Sequence, residues 1–179
     1  MRGKSDSKLR VLDAASSIVE RDGAAHLTID AVAAESGLSK GGVLYHYPNK
    51  HTLLQGMLAK LLSDFETRAE RFREQSKNSE IHAWIRAERE QTDKERSMAL
   101  ALLANAAEDP SLLDPARVFV AEVFDRVRKE AADEEFNLIL LLAAEGLRFF
   151  DMLNLLPLNA AERNLLHDRL LAASSGVNQ

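Results

Sequence analysis

The sequence predicts an all-α chain, and three observations lead there. Apolar residues recur at three- and four-residue spacing along most of its length, the interval at which one face of an α-helix returns. No stretch alternates apolar and polar residues for long enough to make a half-buried strand. Glycines, prolines and capping residues punctuate the chain at the intervals that separate helices.

The elements follow in order. Leu12, Ala15, Ile18 and Val19 form the inner face of a first helix, and Gly23 just beyond it is a C-terminal stop. Thr28 is an N-cap for a second helix, with Asp30 favourably placed in its first turn. Ile29, Val32 and Ala33 face inward, and Gly37 ends that helix. Ser39 caps a short third segment running to about Tyr47, which Pro48 stops, because the residue before proline disfavours helical angles. Leu54, Met57, Leu58, Leu61, Leu62 and Phe65 make one stripe of a long helix from Lys50 to about Gln75. The polar stretch Ser76–Glu80 reads as a loop. Further helices are expected at 80–91, 93–107, 114–131, 134–154 and 159–174, punctuated by Asp109-Pro110, Asp114-Pro115 and Leu156-Pro157 and opened by an Asn159–Glu162 capping box.

Composition bounds the function. The 179 residues include 23 basic and 28 acidic side chains, a net charge of -5, and no cysteine. Without cysteine there is no disulfide framework, no Cys-ligated zinc or iron–sulfur site and no cysteine nucleophile. The longest apolar runs, Met98–Ala104 and Leu138–Ala144, are far shorter than the roughly 20 residues a bilayer span needs. The basic start leads into no apolar signal core, so a cytoplasmic protein is expected. Summed over the chain, the acidic balance argues against a nucleic-acid partner. The sum hides an asymmetry. Residues 1–50 carry seven basic and six acidic groups, a net +1, which leaves -6 on the rest. Such a division suggests two separate tasks.

The segment that concentrates functional residue types is Thr28–Lys50, TIDAVAAESGLSKGGVLYHYPNK. A helix, a tight turn at Ser36-Gly37-Leu38 and a second short helix make a helix-turn-helix, whose second helix enters the DNA major groove. Gly41-Gly42 in that helix should cost about 1 kcal/mol each against alanine, but they leave its backbone open to close approach by a duplex. Lys40, Tyr45, His46, Tyr47 and Lys50 cluster around it as donors suited to phosphates and base edges.

From Leu9 to Leu62 the chain resembles the DNA-binding domain of the TetR (tetracycline repressor) family of transcriptional regulators. The likeness lies in A-x-x-I-x-x-x-x-G (Ala15, Ile18, Gly23), in T-I-x-x-V-A-x-x-x-G-x-S-K-G from Thr28 to Gly41, and in L-Y-H-Y-P-N-K from Leu44 to Lys50, followed by Leu53-Leu54. Two positions depart from the pattern: His51 stands where an acidic residue often follows the lysine, and Gly42-Val43 gives the S-K-G-G-x-L-Y-H variant. The resemblance implies that Ser39, Lys40, Gly41, Gly42, Tyr45 and His46 face DNA and that Thr28 and Lys50 contact phosphates. Lys40 is suited to guanine O6 and N7. Tyr47 is counted with the DNA-facing set, although its place also resembles the family's buried aromatic.

The resemblance further implies two domains. Residues 1–49 form the helix-turn-helix domain, with the start of a connecting helix at 50–75, and residues 50–179 form a helical domain that binds a small-molecule effector and dimerises. The expected homodimer interface is helices 134–154 and 159–174, of which the first is apolar nearly all round and must be buried on more than one side. Candidate effector contacts are Met57, Leu61, Trp84, Met98, Leu102, Asn105, Phe119 and Phe124, with His82 and Glu108 as further polar candidates. The implied function is a regulator, in the commoner case a repressor, whose hold on double-stranded operator DNA the effector releases. No cofactor is implied. The five histidines show no metal spacing, and neither a nucleophile elbow nor a P-loop occurs, so an enzyme is not expected. The alternative is an all-α protein-interaction module that keeps the helix-turn-helix shape without binding an operator.

Overall fold

The computed structural model describes residues 2–76, 79–130 and 134–175. Among them the chain is built of α-helices: α1 (Arg2–Asp22), α2 (Ile29–Ser36), α3 (Lys40–His46), α4 (Lys50–Ser76), α5 (Glu80–Arg89), α6 (Asp93–Ala106), α7 (Asp114–Glu130), α8 (Glu134–Met152) and α9 (Ala160–Ser175). Short 3₁₀ turns occur at Ala24–His26 and Pro110–Leu113. No helix among the described residues is long and apolar enough to cross a membrane. Within the expected loop at 76–80 and at the expected end of helix 114–131, residues 77, 78 and 131 lie outside the described set.

The caps explain the boundaries. Thr28, Ser39, Ser79 and Thr92 each sit in an extended conformation and accept a backbone N–H from the first turn of the helix that follows. The expected capping box at α9 is present: Asn159 N donates to Glu162 Oε2 at 2.7 Å and Glu162 N donates to Asn159 Oδ1 at 3.0 Å. The sequence also holds a second one, between Thr92 and Glu95. Asn49 and Thr52 exchange bonds in the same way at the start of α4, Thr52 N donating to Asn49 Oδ1 at 2.8 Å and Asn49 N to Thr52 Oγ1 at 3.2 Å.

Packing divides the chain into two units, Met1–Leu62 with Thr92–Arg117, and Ser63–Gln91 with Val118–Gln179. The division at residues 49 and 50 is one of sequence motif; the cores are drawn otherwise. The first unit joins α1 to α3 and the first half of α4 to α6, a helix far off in sequence. Met98 and Leu102, one turn apart on α6, are buried with Val11, Ile18, Val43 and Met57. Ser16 Oγ donates to Leu12 O at 2.9 Å and lies 3.3 Å from Met98 Sδ, so this polar group on the buried face of α1 is satisfied. Each such large apolar side chain contributes about 1.5–3 kcal/mol when fully buried.

The second unit has a core of Ile81, Ile85, Val123, Val127, Leu140, Leu141 and Ala144, drawn from α5, α7 and α8, with Leu170 and Leu171 of α9 against it. A charged cluster accompanies it. Arg73 on α4 donates to both oxygens of the buried Glu80, at 2.7 and 3.1 Å, and to Glu66 at 2.7 Å. Arg126 on α7 lies 3.0 Å from Glu80 and 3.1 Å from Glu66. Two cations thus share two anions across α4, α5 and α7, and between them they compensate the buried charge of Glu80. On α8 the residues opposite this core, Ile139, Leu142, Phe149 and Phe150, are exposed, as are Leu165 and Leu166 on α9.

In the first unit Tyr47 is 4% exposed and its ring lies on Gly56 of α4. A Cβ at position 56 would stand 2.4 Å from Tyr47 Cε1. Gly56→Ala should therefore destabilise the protein by about 1–3 kcal/mol, although alanine gains roughly 1 kcal/mol in helix propensity. A melting temperature equal to or above that of the wild type would sink this account of the contact.

Candidate functional sites

The helix-turn-helix is held by local chemistry at each corner. Gly37 ends α2 at φ 66° and ψ 21°, the left-handed conformation that favours glycine. Around it Leu38 N donates to Ala33 O at 3.2 Å and Gly37 N to Ala34 O at 3.4 Å, the paired bonds of a Schellman C-cap. Arg10 Nη2 of α1 donates to Ser36 O at 2.6 Å and so satisfies another open carbonyl of that terminus. Ser39 Oγ accepts from Gly42 N at 3.1 Å and opens α3. On the inner side Val32, Val43 and Tyr47 are buried.

What remains outside is a polar, partly cationic surface. Thr28, Ser39, Lys40, Gly41, Tyr45 and Lys50 are exposed, Tyr45 at 66%. Gly42 and His46 are half-buried. Thr28 Oγ1 is occupied as a cap by Ala31 N at 3.1 Å. Lys40 Nζ lies 2.9 Å from Asp30 Oδ1, and it donates to Oδ2 at 3.0 Å. His46 Nε2 lies 2.8 Å from Ser7 Oγ, which ties α3 to α1, and its ring meets that of Tyr45 edge-on at 5.1 Å.

Tyr47 departs from the DNA-facing set. Its ring is in the core, Lys8 Nζ stands 5.8 Å from the ring centroid, and its hydroxyl is sealed without a hydrogen-bond partner. Burial pushes the phenol's pKa up. A side chain so enclosed cannot reach a duplex; it has the alternative role, that of the buried aromatic. Its packing demanded Gly56, and that glycine was a readable signal: a lone glycine inside the 50–75 stripe points to a packing reason.

The eight expected effector contacts are divided between the two units. Met57, Leu61, Met98 and Leu102 are core residues of the first unit, and Asn105 Nδ2 donates back to Ala101 O at 2.8 Å on its own helix. Trp84 belongs to the core of the second unit, against which Phe119 and Phe124 pack. Trp84 lies 4.5 Å from Phe65 and 6.0 Å from Phe119, centroid to centroid, so the structure groups two of the eight with one aromatic not foreseen. His82 contacts Ser174 Oγ at 3.1 Å and Ser175 Oγ at 3.2 Å, and burial holds its pKa below the usual imidazole range. Glu108 is exposed.

Beside Trp84 sits a charged group that the sequence reading passed over. Trp84 Nε1 donates to Glu145 Oε1 at 2.9 Å, and Arg148 Nη2 donates to Glu145 Oε2 at 2.7 Å. Arg148 Nε is 3.0 Å from Oε1 of Glu88, whose side chain is 2% exposed. That contact is an ion pair without hydrogen-bond alignment, and both Glu88 oxygens lack a hydrogen-bond partner. Burial, and then the neighbouring charge of Glu145, push Glu88 well above the ordinary carboxylate range. Burial acts the same way on Glu145, but its contacts with Glu88, Arg148 and Trp84 outweigh it and hold that carboxyl low. Glu88 was legible in principle: with Ile81, Trp84 and Ile85 it completes an i, i+3, i+4, i+7 stripe, an acid on an otherwise apolar face. Among the described residues no cluster of His, Asp or Glu could hold a metal ion.

Comparison with known proteins agrees with this geometry. Residues 11–57 match the family described as bacterial regulatory proteins, tetR family, and residues 78–175 match the tetracyclin repressor-like C-terminal domain. Among curated proteins no match is found. Similar solved structures include a TetR transcription regulator from Haloarcula marismortui, 20% identical, covering 97% of this chain and 98% of that one, with a TM-score of 0.72. A TetR family member from Streptomyces coelicolor is 19% identical over 92% of this chain and 97% of its own, with a TM-score of 0.71. The multidrug binding protein EbrR complexed with imidazole is 20% identical over 91% and 93%, with a TM-score of 0.68. EbrR has also been solved with malachite green and with ethidium. At these identities the likeness is one of fold.

Proposed function

The chain belongs to the TetR family of DNA-binding transcriptional regulators, which are not enzymes, and from that premise we propose that it is an operator-binding repressor, dimeric and released by a small molecule. The observation that carries the DNA-binding reading is the division of the helix-turn-helix into a buried apolar side and an exposed side bearing Thr28, Ser39, Lys40, Gly41, Tyr45 and Lys50. On this reading residues 1–49 read DNA in the cytoplasm. Ser39, Lys40, Gly41, Gly42, Tyr45 and His46 lie along the major groove, and Thr28 and Lys50, each near a helix N-terminus, take phosphates. Lys40 addresses guanine, and Tyr47 supports the helix from behind.

The remainder, residues 50–179, serves dimerisation and effector binding. The exposed apolar residues of α8 and α9 support an isologous two-fold interface, because so many large apolar side chains on adjoining helices call for a partner surface. Two recognition helices about 34 Å apart then read successive major grooves of a palindrome. For the effector, the aromatic group of Phe65, Trp84 and Phe119 with the Glu145 carboxylate on Trp84 favours a flat organic cation. Ethidium and malachite green, the ligands named for EbrR, belong to that chemical class. Such a ligand shifts the protein between two states only by its difference in affinity for them.

Three measurements test these parts. Lys50→Ala should weaken binding several-fold to every duplex alike and lower the slope of log affinity against log salt by roughly one unit, read by fluorescence anisotropy between 50 and 200 mM salt. An unchanged slope would remove Lys50 from the phosphate contacts. Leu142→Glu should convert a dimer into a monomer in sedimentation velocity, and a wild-type monomer at micromolar concentration would contradict the interface. Ethidium should quench Trp84, the single tryptophan of the chain, and raise the melting temperature of DNA-free protein, with both effects weakened in Glu145→Gln. Equal responses in the two proteins would exclude Glu145 from the effector site.

A further inference from the structure

We propose that Asp30 is a specificity-determining residue of the DNA-binding surface, one that acts on Lys40 and on phosphates and contacts no base. The proposal rests on the DNA-binding reading above. Its observation is the position of a carboxylate where the ligand is an anion. Asp30 lies in the first turn of α2, two residues after Thr28, and its side chain is 71% exposed. Both of its oxygens are within 3.0 Å of Lys40 Nζ, which is itself 58% exposed on the first turn of α3.

This pair has two consequences. The carboxylate stands in the first turn of α2, beside the phosphate that Thr28 takes, and weakens the sequence-independent pull of that helix terminus. It also engages the cation best placed to read a base. A pair as exposed as this one is weak and readily exchanged, so it does not block Lys40; it sets what a duplex must offer in return. Guanine presents two acceptors in the major groove, O6 and N7, and Lys40 can exchange one carboxylate oxygen for them while a third donor of its ammonium stays on Asp30. With guanine the carboxylate therefore remains neutralised. A duplex with another base at that position leaves Lys40 on Asp30 without a base contact, or draws it to a phosphate and uncovers the carboxylate to the backbone. In both cases binding is weaker than to guanine. Discrimination thus comes as much from the cost imposed on wrong sequences as from the contact with the right one.

The test uses the full-length chain and two labelled duplexes, one selected by the wild-type protein from a random pool and one of the same composition with scrambled order. Asp30→Asn keeps the size and hydrogen-bonding capacity of the side chain and removes its charge. It should bind the scrambled duplex about tenfold more tightly, the effect of deleting one repulsive charge near a phosphate at intermediate dielectric. The slope of log affinity against log salt should steepen by about one unit. The preference for the selected duplex should fall by about tenfold, and Asp30→Glu should restore it. In a Lys40→Gln background, Asp30→Asn should no longer change the preference, because the exchange needs both partners. If Asp30 served only to stabilise α2, Asp30→Asn would lower the melting temperature and weaken binding to both duplexes alike; that outcome, or an unchanged preference, overturns the proposal. A wild-type dimer that binds neither duplex at 50 mM salt overturns the DNA-binding reading itself, and a wild-type protein that discriminates while Asp30→Asn matches it overturns only the role of Asp30.

Discussion

The seat of Tyr47 on Gly56 is the contact on which the geometry of the first unit depends. A phenol ring enclosed in a helical core needs a flat place to lie, and the absence of a side chain at position 56 supplies it. The ring belongs to the residue that terminates α3, and the glycine to the second turn of α4. Their contact therefore sets the angle at which the chain leaves one helix and enters the next. With that angle set, Pro48, Asn49 and Lys50 stay outside and Val43 stays in. The hydroxyl of Tyr47 is left without a partner, a penalty of about 1–3 kcal/mol, so the position serves the shape of the ring and not its polar end.

Much of this was legible before any coordinates. Helix starts were readable because Thr28, Ser39 and Asn159 carry side-chain oxygens that satisfy open N–H groups, a local requirement independent of the rest of the fold. Helix ends at Gly23 and Gly37 were readable because both take positive φ, a backbone property written in residue type. The packing of α6 was not readable. Met98 and Leu102 declare an apolar face, but nothing in their spacing says whether α1 or α5 will cover it, and an apolar face is satisfied by any apolar partner. For that reason two expected effector contacts, Met98 and Leu102, proved to be core residues of the first unit.

Polar pairings were harder still. Arg10 with Ser36, Ser7 with His46 and Lys40 with Asp30 join residues from 10 to 39 positions apart, and no periodicity links them. Glu88 differs in kind: its place on an apolar stripe was visible, but a charged residue at such a place is ordinarily read as the rim of the face. Its burial is accommodated by Arg148, on a helix more than fifty positions away, while burial itself and the charge of Glu145 favour its neutral form. That environment is assembled across helices, which sequence spacing on α5 alone cannot reveal.

The distribution of cations bears on how an acidic chain handles an anionic ligand. The net +1 of the first fifty residues suggests a modest general attraction, yet several of those charges are already engaged within the unit. Arg10 is spent on the carbonyl of Ser36, Arg21 on Asp22 and Glu35, and Lys40 on Asp30, while Lys8 stands over the ring of Tyr47. A cation that holds the fold contributes little counterion release, the term that drives sequence-independent binding. A surface built in this way gains less from phosphates in general and must gain more from particular bases. On the proposed reading Gly41 and Gly42 open the backbone of α3 with Lys40 and Tyr45 beside them, and the side chains able to read bases are few. Discrimination by so few contacts is sharpened when the background attraction is low, and the acidic remainder of the chain lowers it further.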